Sequence, residues 1–357
     1  MISKRVSELL CSTARYPLAR EYDIKIPGAV NLASNENPYG PSPAVLRALK
    51  RELKLSGLYP DPRATKLKQA IGGYLGVGTD CIAIGNGSDE LMDLVCKAFV
   101  DQGDRVLIPL PTFAMYELSC VPYGGKPVFY KLPNFEWCTD ELARAAKNTK
   151  LVFLGRPNNP TGNCLSLDGL RELLKVGAII VVDEAYVEFA VDSVAKLAAK
   201  RKNLIVLRTL SKAFGLAGLR VGYAVGNPET IKILERLRAP FNVNRLAQVA
   251  AVAALRDQRY MRRVVAGIKN GRAYIRRELA KLGFKVLPSD ANFLMVDVSP
   301  LEIDAPGLCD FLVKRKIFVR DLSDFRGAGP NYVRVTVGTP QQNERLVGAL
   351  KKLKGGR

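Results

Sequence analysis

The segment NLIVLRTLSKAFG (residues 203–215) is an apolar, strand-like run followed at once by a serine and a lysine. The same order occurs twice earlier in the chain, in AIIVVDEAYVEF (178–189) and KLVFLGRPNNPTGN (150–163). Short, continuous apolar runs that alternate with helical patterns are typical of parallel strands buried on both faces. These segments therefore predict a mostly parallel α/β sheet.

The spacing of the segments indicates where their polar residues meet. Asn159 and Asp183 are 24 residues apart and Asp183 and Lys212 are 29 residues apart, both close to the ~30-residue length of a β-α-β unit. Parallel strands end at one edge of a sheet, and ligands of open α/β sheets bind beyond that edge. We therefore expect Asn159, Asp183, Tyr186 and Lys212 to surround one crevice.

The order of the patterns along the chain predicts two domains. Strand-like runs fill the middle, and a long helical stretch from Leu246 to Leu282 follows, before a mixed segment that ends in NYVRVTVGT (331–339) and a terminal helix. We predict a large α/β domain over residues 41–238. Residues 1–40 and 239–357 are predicted to form a smaller α+β domain from both chain ends.

The composition excludes several classes of protein. The chain has 357 residues, 48% of them apolar, and no histidine, so triads and zinc sites that need imidazole are excluded. Its seven scattered cysteines favour neither a disulfide framework nor a metal site. Because no apolar run has the length of a membrane span, and the N-terminus lacks a signal peptide's apolar block, we expect a soluble, cytoplasmic protein with no membrane partner.

The net charge of +20 raises the alternative of nucleic-acid binding. The positive residues are, however, spread from Lys4 to Arg357, and the richest stretch, RRVVAGIKNGRAYIRRELAKLGFK (262–285), has the spacing of an amphipathic helix with a solvated basic face. We therefore expect no nucleic-acid partner. A diffuse basic surface would instead attract anionic metabolites.

The residue types in the crevice indicate a particular chemistry. A lysine amine forms a Schiff base with an aldehyde, and an aspartate beside a heteroaromatic nitrogen keeps that nitrogen protonated, which is the arrangement that pyridoxal phosphate requires. GNGSDELMDLVCKAF (85–99) begins a helix after glycines, so the N–H groups near Gly87, Ser88 and Asp89 can face a phosphate. A rival reading, the S-x-x-K nucleophile, fails because Thr209 takes the serine's place.

These motifs resemble those of fold-type I, pyridoxal phosphate-dependent aminotransferases of class I/II, over most of the chain from NLASNENPYGPSP (31–43) to NYVRVTVGTP (331–340). The resemblance implies a three-layer fold and a homodimer with shared active sites. It implies that Lys212 holds the cofactor and that Asp183 is the partner of its ring nitrogen. The other implied cofactor contacts are Asn159 and Tyr186 at the ring oxygen, Phe113 on the ring face, Thr209, Ser211 and Arg220 at the phosphate, and Tyr59 at the phosphate of the neighbouring subunit.

Four further segments are similar to those of histidinol-phosphate aminotransferases: NENPYGPSP (35–43), RLRAPFNVNRLAQVAAVAAL (236–255), SDANFLMVD (289–297) and IFVRDLS (317–323). That resemblance implies amino-group exchange between histidinol phosphate and 2-oxoglutarate, with Arg334, Arg320, Asn35 and Tyr16 at the substrate. Aromatic or broad-specificity aminotransferases and threonine-phosphate decarboxylase remain alternatives. The decarboxylase family carries a His-Gly-Gly element near its N-terminus, and this chain has no histidine.

Overall fold

The computed structural model describes residues 2, 7, 26–190 and 192–355. The strands in this part of the chain are β1 (Val30–Leu32), β2 (Ile82–Asn86), β3 (Arg105–Leu110), β4 (Lys126–Lys131), β5 (Leu151–Gly155), β6 (Ile179–Asp183), β7 (Leu204–Thr209), β8 (Val221–Val225), β9 (Lys285–Val286), β10 (Phe293–Asp297), β11 (Ile317–Asp321) and β12 (Tyr332–Thr336). The α-helices are α1 (Pro43–Glu52), α2 (Thr65–Leu75), α3 (Gly87–Phe99), α4 (Met115–Cys120), α5 (Thr139–Ala146), α6 (Leu167–Leu173), α7 (Ala195–Ala198), α8 (Pro228–Leu237), α9 (Arg245–Arg256), α10 (Gln258–Lys281), α11 (Ala305–Val313) and α12 (Pro340–Gly355).

The larger sheet has seven strands in the order β2-β8-β7-β6-β5-β3-β4. Strands β4, β3, β5, β6 and β7 run parallel, and β8 is antiparallel to both of its neighbours. This arrangement confirms the mostly parallel sheet predicted from the apolar runs. The sequence analysis did not identify β2, because its short IAIGN run contains two residues with little strand preference, alanine and glycine.

Alternate residues of the central strands pack on opposite sides of this sheet. Val152, Ile180 and Val206 belong to the core on one face, whereas Phe153 and Val181 belong to the core on the other. Helices α3, α4 and α8 cover the second face, and helices that include α2, α5, α6 and α10 cover the first. The result is the predicted three-layer arrangement of helices, sheet and helices.

The smaller sheet has five strands in the order β1-β11-β12-β10-β9. Only the β1–β11 pair in it is parallel, and β11, β12, β10 and β9 pair antiparallel in succession. The registers place Arg320 of β11 directly opposite Arg334 of β12. Both side chains therefore lie on the same face of the small sheet.

The helical stretch after residue 245 is interrupted once. The Asp257 side chain accepts a hydrogen bond from the Tyr260 N–H and so ends α9 and begins α10. Helix α9 packs on α1 and α2.

The domain boundaries at residues 40 and 238 stay a prediction. Among the helices of the described residues, none combines the length and apolar character needed to cross a membrane.

Gly222 of β8 fixes the distance between the large sheet and the start of α3. A Cβ added there would lie 2.4 Å from the Gly87 carbonyl carbon and 2.5 Å from the Ser88 nitrogen. These are backbone atoms at the beginning of a helix, and they cannot move without moving α3. Only glycine allows β8 and α3 to approach this closely.

We expect Gly222→Ala to lower the free energy of unfolding by about 1–3 kcal/mol, because the added methyl group overpacks a backbone contact. Gly73→Ala is the matched control: Gly73 is exposed in α2, and an added Cβ there has no heavy atom within 4 Å. The control should raise stability by about 0.5–1 kcal/mol through helix propensity. Urea unfolding of both variants measures the difference, and equal stability of Gly222→Ala and the wild type would contradict the packing constraint.

Candidate active site

A cavity of about 340 Å³ lies at the carboxyl edge of the large sheet, against the small sheet. It forms there because β5, β6 and β7 are parallel and end at the same edge. The cavity brings together most of the predicted site residues: Asn35, Ser88, Asp89, Phe113, Asn159, Asp183, Tyr186, Thr209, Ser211, Lys212, Arg220, Arg320 and Arg334.

Two predicted residues of the described part of the chain, Gly87 and Tyr59, are not part of the cavity lining. Gly87 lies behind it, where a Cβ would be 2.6 Å from a guanidinium nitrogen of Arg220. Tyr59 is 77% exposed and lies outside this cavity, with its ring stacked on Phe241. Tyr16 lies outside the described residues. The Tyr59 side chain faces outward. Its contact with a neighbouring subunit stays a prediction.

Lys212 follows β7 and extends its amine into the cavity. Its Nζ donates to the Ser34 carbonyl oxygen at 3.3 Å and lies 5.7 Å from the centre of the Tyr186 ring. The pKa of Lys212 is lowered to about 8, chiefly by burial and also by the positive charges of Arg334 and Arg220, against the opposing effects of Glu36 and Asp89. A substantial fraction of this amine is therefore neutral, and hence nucleophilic, near neutral pH.

Asp183 is the last residue of β6 and is almost fully buried. Its Oδ2 accepts a hydrogen bond from the Tyr116 hydroxyl at 3.0 Å, and its Oδ1 accepts one from the Ala185 N–H at 3.0 Å. Burial raises the pKa of Asp183 to about 6, although both hydrogen bonds favour the charged form. A cationic ring nitrogen beside this carboxylate would offset the cost of its burial.

The other end of the cavity contains hydrogen-bond donors that can bind an anion. The N-terminus of α3 presents Ser88 and Asp89, and the hydroxyl oxygens of Thr209 and Ser211 lie 2.8 Å apart. Arg220 has a left-handed backbone, with φ of 53°, and one of its guanidinium nitrogens lies 2.9 Å from Asp89 Oδ2. Helix N–H groups, hydroxyls and a guanidinium together suit a phosphate group.

The small sheet supplies the two arginines that are predicted to contact the substrate, Arg320 and Arg334. Arg334 donates to Asn159 Oδ1 at 2.6 Å and to the Ala33 carbonyl oxygen at 2.7 Å. The Arg320 guanidinium lies 5.3 Å from the centre of the Phe325 ring. Both arginines are buried and reach the same cavity as Lys212.

Asn35 connects the small sheet to the catalytic region. Its Nδ2 donates to the Tyr186 hydroxyl oxygen at 3.0 Å, and its Oδ1 accepts from the Thr336 hydroxyl at 3.1 Å. Asn35 has a positive φ of 54°, a conformation that asparagine tolerates better than most residues. The predicted site residue Asn35 thus positions Tyr186 as well as lining the cavity.

Sequence reasoning missed seven residues that line the cavity, and two of these, Tyr116 and Phe325, have large side chains. Tyr116 stands three residues after Phe113, one helical turn away, so the PTFAMY segment that identified Phe113 also contained it. Phe325 lies in a loop without periodicity, and only the tertiary structure brings it to Arg320. The sequence offered no signal for Phe325.

The donor set matches the chemical groups of pyridoxal phosphate. Lys212 supplies an amine for its aldehyde, Asp183 a buried carboxylate for its ring nitrogen, and the Arg220 end of the cavity a cradle for its phosphate. Gly222 and Gly87 allow β8, α3 and Arg220 to pack closely at that end, because an added Cβ at either position would collide with backbone or with Arg220. The residues present therefore fit this cofactor.

Comparisons with known proteins agree with this geometry. The sequence profile of the family described as "Aminotransferase class I and II" matches residues 27–350. The histidinol-phosphate aminotransferases of Methanosarcina mazei and Methanosarcina barkeri are 40% and 41% identical to this chain, covering 94% of it and 90% and 92% of their own lengths.

A crystal structure of histidinol-phosphate aminotransferase from Sinorhizobium meliloti in complex with pyridoxal-5'-phosphate superposes with a TM-score of 0.84. It is 30% identical in sequence, and the alignment covers 92% of this chain and 91% of that one. This similarity confirms the fold class expected from the sequence. With the family profile matching residues 27–350, the chain belongs to the class I and II aminotransferases.

Proposed function

We propose that the protein is a pyridoxal phosphate-dependent histidinol-phosphate aminotransferase, which exchanges an amino group between histidinol phosphate and 2-oxoglutarate in histidine biosynthesis. The observation that carries this proposal is the pair of buried arginines, Arg320 and Arg334, on the wall of the cavity that also contains Lys212 and Asp183. The names of the relatives support it. We place the reaction in the cytoplasm, in agreement with the free cysteines in the described residues.

The cofactor, when bound, withdraws electrons from the substrate carbon that bears the amino group. We assign its covalent attachment to Lys212 and the contact with its ring nitrogen to Asp183. Asn159 and Tyr186 are assigned to its ring oxygen and Phe113 to its ring face. Its phosphate is assigned to the α3 N-terminus with Ser88 and Asp89, and to Thr209, Ser211 and Arg220.

Lys212 is proposed to move the proton in the reaction. Because its pKa is near 8, its Nζ can accept a proton from the substrate carbon next to the amino group and later return it. The Tyr186 ring packs near this amine, and Asn35 holds the Tyr186 hydroxyl. These contacts limit the positions that the amine and the Tyr186 hydroxyl can adopt.

The arginine pair favours a phosphorylated substrate. Histidinol phosphate has no carboxylate, and its phosphate carries close to two negative charges at neutral pH. Arg320 and Arg334 stand opposite each other on neighbouring strands, so both guanidinium groups can donate to one phosphate. Glutamate would place a carboxylate in the same position when it serves as the amino donor.

We also propose a homodimer with shared active sites. Leu53, Leu58 and Tyr59 are large apolar residues that are more than half exposed, and Phe241 stacks on the Tyr59 ring at 4.6 Å. Contiguous apolar surface of this kind marks protein interfaces. A second copy of the chain on this surface would bury the patch and bring Tyr59 to the neighbouring subunit's cofactor phosphate.

The depressed pKa of Lys212 predicts a pH dependence for cofactor attachment. In the apoprotein, the rate of covalent attachment of pyridoxal phosphate should rise with pH and level off above about pH 9, because the reactive neutral amine predominates above a pKa of about 8. Arg334→Gln removes a positive charge, so the pKa of Lys212 and the plateau should move to higher pH. Stopped-flow absorbance measures the rate.

Arg171→Gln is the matched control for that experiment, because Arg171 is an exposed residue of α6 that forms an ion pair with Asp168. It should leave the profile unchanged. A wild-type rate that still rises steeply at about pH 10 would indicate an ordinary amine at position 212.

A panel of amino donors tests the proposed substrate. The absorbance of the bound cofactor is followed after addition of histidinol phosphate, phenylalanine, aspartate or threonine phosphate. The change should be fastest with histidinol phosphate. Arg320→Gln should lower kcat/KM for histidinol phosphate by roughly ten- to hundredfold, since a charge-assisted contact contributes roughly 1.5–3 kcal/mol, and should affect phenylalanine less.

Lys212→Ala serves as the inactive control in that panel. Phenylalanine or aspartate reacting as well as histidinol phosphate would contradict the proposed substrate and leave only the family assignment. Release of carbon dioxide from threonine phosphate would select the decarboxylase alternative.

Shared active sites predict complementation between inactive variants. Mixing Lys212→Ala with Tyr59→Phe should restore about a quarter of the wild-type activity at full subunit exchange, because half of the dimers are hybrids with one intact site. Mixing Lys212→Ala with Asp183→Ala should restore none, since each site takes both of those residues from one subunit. Recovery in both mixtures, or in neither, would argue against sharing through Tyr59.

A further inference from the structure

Tyr116 is a buried tyrosine in the wall of the cavity, and the assignments above give it no role. It lies on α4, and its side chain is 1% exposed. Its hydroxyl donates to Asp183 Oδ2 at 3.0 Å, whereas the other carboxylate oxygen accepts from the backbone N–H of Ala185. Each oxygen of Asp183 is thus held by one donor, one from the main chain and one from Tyr116.

Aromatic packing fixes the direction of this hydroxyl. The Tyr116 ring stacks on Phe153 of β5, with centroids 5.0 Å apart and planes inclined by 4°. It also meets the Phe113 ring edge to face, with centroids 5.9 Å apart and planes at 86°. Packing between two rings keeps the hydroxyl directed at the carboxylate.

We propose that Tyr116 is a positioning residue that keeps the Asp183 carboxylate ionised and fixes its orientation, so that the proton shared with the cofactor stays on the ring nitrogen. The inference rests on the proposed function, because it concerns the carboxylate assigned to the ring nitrogen. In that assignment Tyr116 contacts neither substrate nor cofactor, and it acts through Asp183.

Opposing influences on Asp183 explain why the hydroxyl matters. Burial and the negative charge of Asp89 raise its pKa, whereas the Tyr116 hydroxyl, the Ala185 N–H and the charge of Lys212 lower it. When the hydroxyl is lost, the carboxylate becomes a stronger base. The proton between Asp183 and a ring nitrogen then shifts towards the carboxylate, and the ring withdraws electrons less strongly.

The position of that proton can be measured directly. Wild type and Tyr116→Phe are loaded with pyridoxal phosphate labelled with ¹⁵N in the ring, and the ¹⁵N NMR shift of the bound cofactor is recorded. The wild-type signal should lie in the range of a protonated pyridine. In Tyr116→Phe the ratio of ring-protonated to carboxyl-protonated forms should fall about tenfold, the effect of losing a hydrogen bond to a charged group.

Tyr123→Phe is the matched control, because the Tyr123 hydroxyl donates to Asp93 Oδ2 at 2.9 Å and neither residue lines the cavity. It removes the same kind of tyrosine–aspartate hydrogen bond and should leave the ¹⁵N signal in place. With histidinol phosphate, kcat should fall in Tyr116→Phe while KM changes little. Incorporation of 3-fluorotyrosine at position 116, a stronger donor, should move the ¹⁵N signal opposite to phenylalanine.

The outcomes separate this inference from the proposed function. A wild type that binds no cofactor or does not transaminate histidinol phosphate overturns the proposed function and this inference with it. If the wild type binds the cofactor and transaminates histidinol phosphate, and Tyr116→Phe has the same ¹⁵N shift as the wild type, the inference about Tyr116 is overturned and the proposed function stands. Lower activity of Tyr116→Phe with an unmoved ¹⁵N signal would mean that the hydroxyl acts on something other than the ring proton, and it would also overturn the inference.

Discussion

A buried ion pair beneath the cavity holds the two strands that carry the reactive residues. Arg208 of β7 pairs with two glutamates: its Nε lies 2.9 Å from Glu184 Oε2, and its Nη1 lies 3.6 Å from Glu188 Oε1. All three side chains are almost fully buried. Glu184 follows Asp183 directly, and Arg208 precedes Lys212 by four residues. Breaking such a pair leaves a buried charge uncompensated at a cost of about 3–5 kcal/mol, so the ends of β6 and β7 cannot separate easily.

The same burial acts in opposite directions on the two reactive groups above this ion pair. It lowers the pKa of Lys212 to about 8 and raises that of Asp183 to about 6, so both values approach neutral pH. Arg220 and Arg334 add positive charge around Lys212 and reinforce its shift. The positive charge that keeps the Lys212 amine reactive also makes the cavity electrostatically favourable for anions.

The parts of the site that follow strands were predictable from the sequence, and the parts that depend on packing between elements were not. Asn159, Asp183 and Lys212 meet because parallel strands end at the same edge of the sheet. The apolar runs in the sequence predicted those strands and therefore that edge. The Tyr116 bond to Asp183 depends on how α4 packs against the sheet, and the opposition of Arg320 and Arg334 depends on strand register. Neither the packing nor the register leaves a periodic signal in one sequence.

Strand register also gives a physical reason for the phosphorylated substrate that we propose. Like charges directly opposite each other on antiparallel strands destabilise the sheet, and Arg320 and Arg334 occupy such positions in a buried region. Arg334 donates to the Asn159 and Ala33 oxygens, and the Arg320 guanidinium lies against the Phe325 ring. A phosphomonoester with nearly two negative charges offsets this repulsion more fully than a single carboxylate does. In the function that we propose, a phosphorylated substrate bound between Arg320 and Arg334 would therefore reduce the repulsion of this pair more than a substrate with one carboxylate would.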